Sequence, residues 1–392
     1  MKSKEELTTG FDSLVVFRNL LKNKTVADLR KLCETGDMHE YSEFVAGLYA
    51  KSDNLSEFLL NRVFEDENIY VTLNAQNKPV SKHILECVDN ELAFLEKVSR
   101  LTPEDFRGDY KGFLPAWSTS EIDFNAEYKK RVEHIGDFGY GIFAKYYMFM
   151  VQDSVITPVK TPDDTTLSRL IGYKLERKSV IDNTLALING KPALNTLLYG
   201  DAGTGKSSTV KAIVNEYKDH GLRLIEVAKS QLRDIPAIID SLSRNPLKFI
   251  IFIDDLSFNQ DDDDFGALKA ILEGSVSART SNIVIYATSN RRHLVKETFS
   301  GREGDEVHRN DTIQELISLS ERFGLTVNFS KPDKNQYIDI IHGLAEQNNL
   351  DIPLQQLDLQ AEAFALRRGG RSPRLAKQFI DYLLSSNPDS DK

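Results

Sequence analysis

The chain has 392 residues, enough at roughly 100 to 200 per domain for two or three domains, each with its own core. Hydrophobic residues make up 41% and charged residues 28%, which excludes a disordered or fibrous chain. The formal net charge is -10, and the acidic excess lies in residues 1–168, where 20 basic residues face 28 acidic ones. That balance argues against nucleic acid as the partner of the first half, because such affinity comes from Lys and Arg displacing counterions. The longest apolar runs, such as FIIFI, fall far short of the about 20 residues a membrane helix needs. The start, MKSKEELTTGF, lacks the apolar segment of a secretory signal, so the expected location is the cytoplasm, with no membrane contact. Cys33 and Cys87 show no CxxC or Cys/His spacing, so neither a disulfide framework nor a metal site is expected from them.

From Leu7 to about Arg100 apolar residues recur three and four apart, as in FDSLVVFRNLLKN, LSEFLLNRVFED and SKHILECVDNELAFLEKVSR, and this spacing predicts amphipathic helices. Ser81 is placed to cap the last of them, and the tract LTPEDFRGDYKGFLPAW interrupts the pattern with turn residues. A further helix is expected over Gly141–Gln152, its run GIFAKYYMFMV being buried core. Residues 1–152 should therefore form a mainly α-helical N-terminal domain, and 153–168, polar and carrying two prolines, a linker. From Arg169 short β-rich runs alternate with helical segments. NTLLYG, LRLIEVA, KFIIFID, NIVIYATS and LTVNFS read as strands of a parallel sheet with helical crossovers, giving an α/β core over 169–330. Helical spacing returns over 331–392 and predicts a small helical lid.

The chemistry begins at Gly200-Asp201-Ala202-Gly203-Thr204-Gly205-Lys206-Ser207, between the strand NTLLY and the helical segment SSTVKAIVNEYKD. That is the setting G-x-x-x-x-G-K-[ST] requires for a phosphate-binding loop. Its glycines let the backbone turn with N–H groups inward, and the helix start, Ser208 included, adds unpaired donors and positive partial charge. Lys206 is expected to reach the β- and γ-phosphates and the Ser207 hydroxyl to ligate Mg²⁺. About fifty residues on, Phe249-Ile250-Ile251-Phe252-Ile253-Asp254-Asp255 reads as a buried strand ending in two acids. Ligands of parallel sheets sit beyond that end, so Asp254 is the candidate for Mg²⁺ and Asp255 for orienting and deprotonating a water. Four consecutive acids, Asp261 to Asp264, lack the spacing of a Ca²⁺ loop and are expected to be solvated, and His308 to be a loop residue.

The order of these motifs, followed by IVIYATSN, LSERFGL and GRSPR, resembles that of AAA+ ATPases over about Arg169 to Leu383. More narrowly, GKPALNTLLYGDAGTGKSS with SNRRHL and SLSERFGL resembles an uncharacterised bacterial AAA+ ATP-binding family described as a domain of unknown function. The resemblance implies a P-loop NTPase core with a C-terminal lid, and ATP hydrolysis with Mg²⁺ that drives conformational change on an unidentified protein partner. It implies Asn290 as the polar sensor at the end of a strand lying between the two motif strands, with Thr288 or Ser289 as alternatives. Arg322 would be the arginine finger acting on a neighbour's ATP in a homo-oligomer, and Arg374 a second sensor on the lid, with Arg367, Arg368 and Arg371 nearby. Ile171, Gly172 and Tyr173 resemble the segment that packs on adenine. Many AAA+ proteins carry Glu where Asp255 stands, so slow hydrolysis, and hence an ATP-dependent binding switch or loader, is the alternative. No aromatic-Gly pair of the pore-loop kind follows LRLIEVA.

Overall fold

The structure is a computed structural model and describes residues 4–256, 263–273, 280–290 and 322–386. The chain divides into two compact units, Met1–Lys145 with Arg244–Leu247, and Tyr146–Ser243 with Lys248–Lys392.

The first unit is helical, as its spacing predicts. Asn23, Asp37, Asn54, Asn68, Ser81 and Asp123 each cap a helix by accepting an amide of its first turn, which satisfies donors the helix leaves unpaired. Its core is rich in aromatic residues, with Phe11, Phe17, Phe44, Tyr41, Phe124 and Tyr128 almost wholly buried. Trp117 packs edge-on against Phe44 and donates its indole N–H to the Leu101 carbonyl at 2.8 Å. A buried carboxylate, Glu91, accepts the amides of Val15, Val16 and Phe17 at 2.9–3.1 Å and so fixes the turn that follows the first helix.

The second unit holds a seven-stranded sheet: β1 (Met148–Gln152), β2 (Val155–Pro158), β3 (Thr196–Gly200), β4 (Leu222–Glu226), β5 (Lys248–Ile253), β6 (Ile283–Ser289) and β7 (Leu325–Phe329). Their spatial order is β2-β1-β4-β5-β6-β3-β7, parallel except for the β1–β2 hairpin. The five strands expected from sequence all form, and β6 lies between β5 and β3, as Asn290's expected role requires. Phe249 to Ile253 are buried without alternation because helices cover both faces of a parallel sheet. Each such side chain contributes about 1.5–3 kcal/mol over exposure.

One expectation fails. The helix predicted over Gly141–Gln152 is a single turn, Ile142–Lys145, followed by β1, and the predicted linker contains β2. Met148, Phe149 and Val151 are buried, and Met148–Met150 pair in parallel with Leu224–Glu226. The aromatic run suits a pleated surface as well as a helix, and pairing with an existing sheet edge decides between them.

The lid consists of three helices, Lys334–Gln347, Leu354–Arg367 and Pro373–Ser386, around a core of Tyr337, Ile340, Ile341, Phe379 and Ile380. Sheet and lid together give an α/β core with a C-terminal helical lid, preceded by a helical N-terminal unit. Among the described residues no helix is long and apolar enough to cross a membrane.

Candidate functional site

The expected phosphate loop leaves the C-terminal end of β3 and enters the helix Lys206–Tyr217. Gly200 has φ +130°, and a Cβ there would lie 2.3 Å from the Phe329 carbonyl oxygen, so only glycine lets the loop depart beside β7. Gly203 has φ +77°, and a Cβ would sit 3.1 Å from Cβ of Arg374. The first backbone bond of the helix is Thr209 N–H to Gly205 O at 2.9 Å, so the amides of Lys206, Ser207 and Ser208 emerge unpaired at its N-terminus. A positive end with outward amides suits an anion. The Thr204 hydroxyl donates to Asp201 O at 2.8 Å and closes the turn, while Ala202 is exposed at its crest.

Lys206 is buried to 6% exposure, and its ammonium donates to Gly200 O at 3.0 Å, Asp201 O at 2.7 Å and Asn290 Oδ1 at 3.0 Å. Burial pulls its pKa below the ordinary lysine value; Asp201, Asp255 and Asp254 oppose that pull and Arg374 adds to it. Asn290, in turn, donates Nδ2 to Asp255 Oδ1 at 2.7 Å. A polar chain Lys206–Asn290–Asp255 thus crosses from the phosphate loop to the acidic strand end, along the side expected of a γ-phosphate.

A second cluster forms beside it. Asp254 Oδ1 accepts the hydroxyls of Ser207 at 2.6 Å and Thr288 at 2.5 Å, and the Asp255 amide at 3.1 Å. The Thr288 hydroxyl also accepts the Asp255 amide at 2.9 Å. Thr288, 2% exposed, therefore joins the two acids, a role different from the sensor contact for which sequence offered it as an alternative. Asp255 has φ +52°. Left-handed backbone is tolerated by Asp better than by most side chains. Ser207 Oγ and the Asp254 carboxylate are adjacent hard oxygen donors, the set Mg²⁺ takes when phosphate oxygens and waters complete its shell. The residues present fit that ion. Among the described residues no group of three or more His, Cys, Asp or Glu is placed to hold a metal by itself.

On the other side of the loop, Gly172 lies against Ile340 and Ile171 against Gly343 of the first lid helix. The Tyr173 ring stacks on Phe329, centroids 5.3 Å apart, and its hydroxyl donates to Ser330 O at 2.6 Å. Arg177, also buried, holds this segment by donating to the carbonyls of Leu170 and Gly172. The expected base-packing residues thus sit between β7 and the lid. Arg374 N–H donates to Gly203 O at 3.1 Å, so the last lid helix begins on the phosphate loop. The other three lid arginines are engaged elsewhere: Arg371 with Glu362 at 2.7–2.9 Å, Arg367 with Ala363 O, and Arg368 over the Phe364 ring.

Arg322 is not brought to this cluster. Leu325 pairs with Thr196, so Arg322 lies beyond the N-terminal end of β7, while the loop leaves the opposite end of β3. The four rises of β7 from Leu325 to Phe329, at about 3.3 Å each, put roughly 13 Å of strand between its two ends. Asp261, Asp262 and His308 lie outside the described residues. Sequence reasoning also missed a tether: Asp201 Oδ2 accepts the Lys331 amide at 2.8 Å, and no local pattern signals it.

No curated protein matches the chain. Among solved structures, a point mutant of RuvB from Thermogota maritima is similar at 17% identity and a TM-score of 0.38, over 57% of this chain and 66% of that one. The chain thus spans just under two thirds of that structure's length. A family model described as "Protein of unknown function (DUF815)" matches residues 144–387, more than half of the chain and all of the loop, acidic strand end and lid laid out above. The chain belongs to the DUF815 family.

Proposed function

We propose that the chain is a Mg²⁺-dependent ATPase whose turnover moves the lid against the core and so acts on a macromolecular partner. The observation that carries this reading is the pair of linked clusters, Lys206–Asn290–Asp255 and Ser207–Asp254–Thr288, at one end of the sheet. The loop amides and Lys206 hold the β- and γ-phosphates, and Ile171, Gly172 and Tyr173 receive the base. Ser207 and Asp254 hold Mg²⁺, which when bound neutralises charge on the phosphate oxygens. Asp255 accepts a proton from water as that water's oxygen bonds to the γ-phosphorus. The bond from phosphorus to the β,γ-bridging oxygen breaks, giving ADP and inorganic phosphate. Asn290, already hydrogen-bonded to Asp255, fixes the orientation of that carboxylate. Arg374 supplies positive charge from the lid.

The position of Arg322, before the end of β7 opposite the chain's own loop, supports a finger that acts in trans in a homo-oligomer; such a finger adds about 10³ to 10⁵ in rate. Turnover should therefore rise steeply with protein concentration. Phosphate release by purified protein tests the reading. Wild type should turn over ATP, with Lys206→Ala and Asp255→Asn both far slower, and equal rates in all three would refute it.

One observation favours a second reading, an ATP-dependent switch or loader with slow hydrolysis. The short Asp255 side chain is held by Asn290 and by a left-handed backbone, which limits its reach towards a water. ATP-driven assembly with negligible turnover would favour it, and assembly without nucleotide would count against it.

A further inference from the structure

The core passes into the lid through Ser330 and Lys331, which follow β7 and precede the first lid helix. A single peptide plane joins these two residues, and both of its polar atoms are held. Its carbonyl oxygen, on Ser330, accepts the Tyr173 hydroxyl at 2.6 Å, and its N–H, on Lys331, donates to Asp201 Oδ2 at 2.8 Å. Tyr173 belongs to the segment beside the lid and Asp201 to the phosphate loop, so the two clamps come from opposite ends of the candidate nucleotide site. Asp201 is further fixed by its own backbone: its N–H donates to Phe329 O at 3.1 Å, and its carbonyl accepts both Lys206 Nζ and the Thr204 hydroxyl. Tyr173 is fixed by its stack on Phe329, one residue before the peptide in question.

We infer that Asp201 and Tyr173 are positioning residues that clamp the Ser330–Lys331 peptide and pass occupancy of the site to the lid. The inference rests on the nucleotide-binding reading above and assigns the coupling to two hydrogen bonds. Phosphates seated on the loop amides lie near the Asp201 carboxylate, and like-charge repulsion favours the orientation that keeps it turned onto the Lys331 amide. A base against Ile171–Tyr173 restrains the ring whose hydroxyl holds Ser330 O. Loading either end of the site thus tightens one atom of the same peptide plane, and the direction of that plane sets the start of the helix Lys334–Gln347.

Hydrogen exchange of the full-length protein, with and without ATP and magnesium, tests this at two peptides, one covering 200–208 and one covering 325–336. In wild type both should slow on adding nucleotide. With each protein at a nucleotide concentration that saturates it, the slowing at 325–336 relative to that at 200–208 should fall by about tenfold in Asp201→Ala, the worth of a hydrogen bond to a charged group. Asp201→Asn keeps an acceptor oxygen but loses the charge that phosphate repels, and should restore only part of the hinge protection. Tyr173→Phe keeps the stacked ring but loses the donor, and should lose part of it. The last two variants nearly preserve side-chain volume, so the comparison survives if Asp201→Ala folds poorly. Hinge slowing in Asp201→Ala equal to wild type, or no rescue by Asp201→Asn, overturns the clamp. Absence of slowing at 200–208 in wild type overturns the nucleotide site itself, and the clamp with it.

Discussion

Replacing Thr288 with Val removes one hydroxyl and leaves the side-chain volume nearly unchanged. That hydroxyl donates to Asp254 Oδ1 at 2.5 Å and accepts the Asp255 amide at 2.9 Å, in a position 2% exposed. A hydrogen bond to a charged acceptor contributes about 1.5–3 kcal/mol, and a buried amide deprived of its better partner costs a further 1 kcal/mol or so. The amide retains its longer 3.1 Å bond to Asp254, which limits the second cost. The expected loss in stability of the α/β unit is therefore about 2–4 kcal/mol. Turnover should fall at least tenfold, because both acids shift when the hydroxyl that joins them is gone. Urea unfolding followed by far-UV circular dichroism measures the first effect and phosphate release the second. Thr288→Ser keeps the hydroxyl and should retain most of both. A Thr288→Val protein that unfolds within about 0.5 kcal/mol of wild type, or a Ser variant as damaged as the Val variant, would refute the bridging role.

Three further outcomes are expected. Gly203→Ala forces an L residue to φ +77° with its Cβ 3.1 Å from that of Arg374, and about 1–2 kcal/mol of strain should weaken ATP binding roughly tenfold in a calorimetric titration. Glu91→Gln turns an amide donor towards the N–H groups of Val15, Val16 and Phe17 and should destabilise the N-terminal unit by about 3 kcal/mol, read from the fluorescence of Trp117, the sole tryptophan, which lies in that unit. Burial raises the Asp66 carboxyl from 3.8 to about 6, opposed in part by the bond from Asn68. A folded-state pKa above the unfolded one means that the native protein binds the extra proton between these values, so stability rises as pH falls from about 6 to about 4. Asp66→Asn should accordingly raise the melting temperature of that unit at pH 7.5, by up to about 3 kcal/mol in free energy, with the advantage gone near pH 4; an equal advantage at both pH values would contradict the burial.

The parts of the molecule visible in sequence are those set by local pattern. FIIFID announces a strand buried on both faces, and the glycines with Lys206 and Ser207 announce a loop whose backbone binds phosphate, because each depends on residues adjacent in the chain. The run Met148–Gln152 reads as helix in sequence because an aromatic, apolar run suits helix or strand alike, and only the edge of β4, some seventy residues away, selects the strand. Among the site residues, Lys206, Ser207, Asp254, Asp255 and Asn290 converge as their order suggested, and Arg374 reaches the loop ahead of its three neighbouring arginines. The bridging hydroxyl of Thr288 and the Asp201–Lys331 tether span 34 and 130 positions, and neither residue type carries a pattern that marks such a partner.

Isothermal titration of ATP with magnesium into the wild-type chain and into Lys206→Met tests the central claim most directly. Wild type should give saturable heat at one site per chain, and the variant, lacking the ammonium but retaining the side-chain length, should bind roughly ten- to a hundredfold more weakly, the order expected for a charge-assisted contact. No heat in wild type, or identical isotherms for the two proteins, would contradict it.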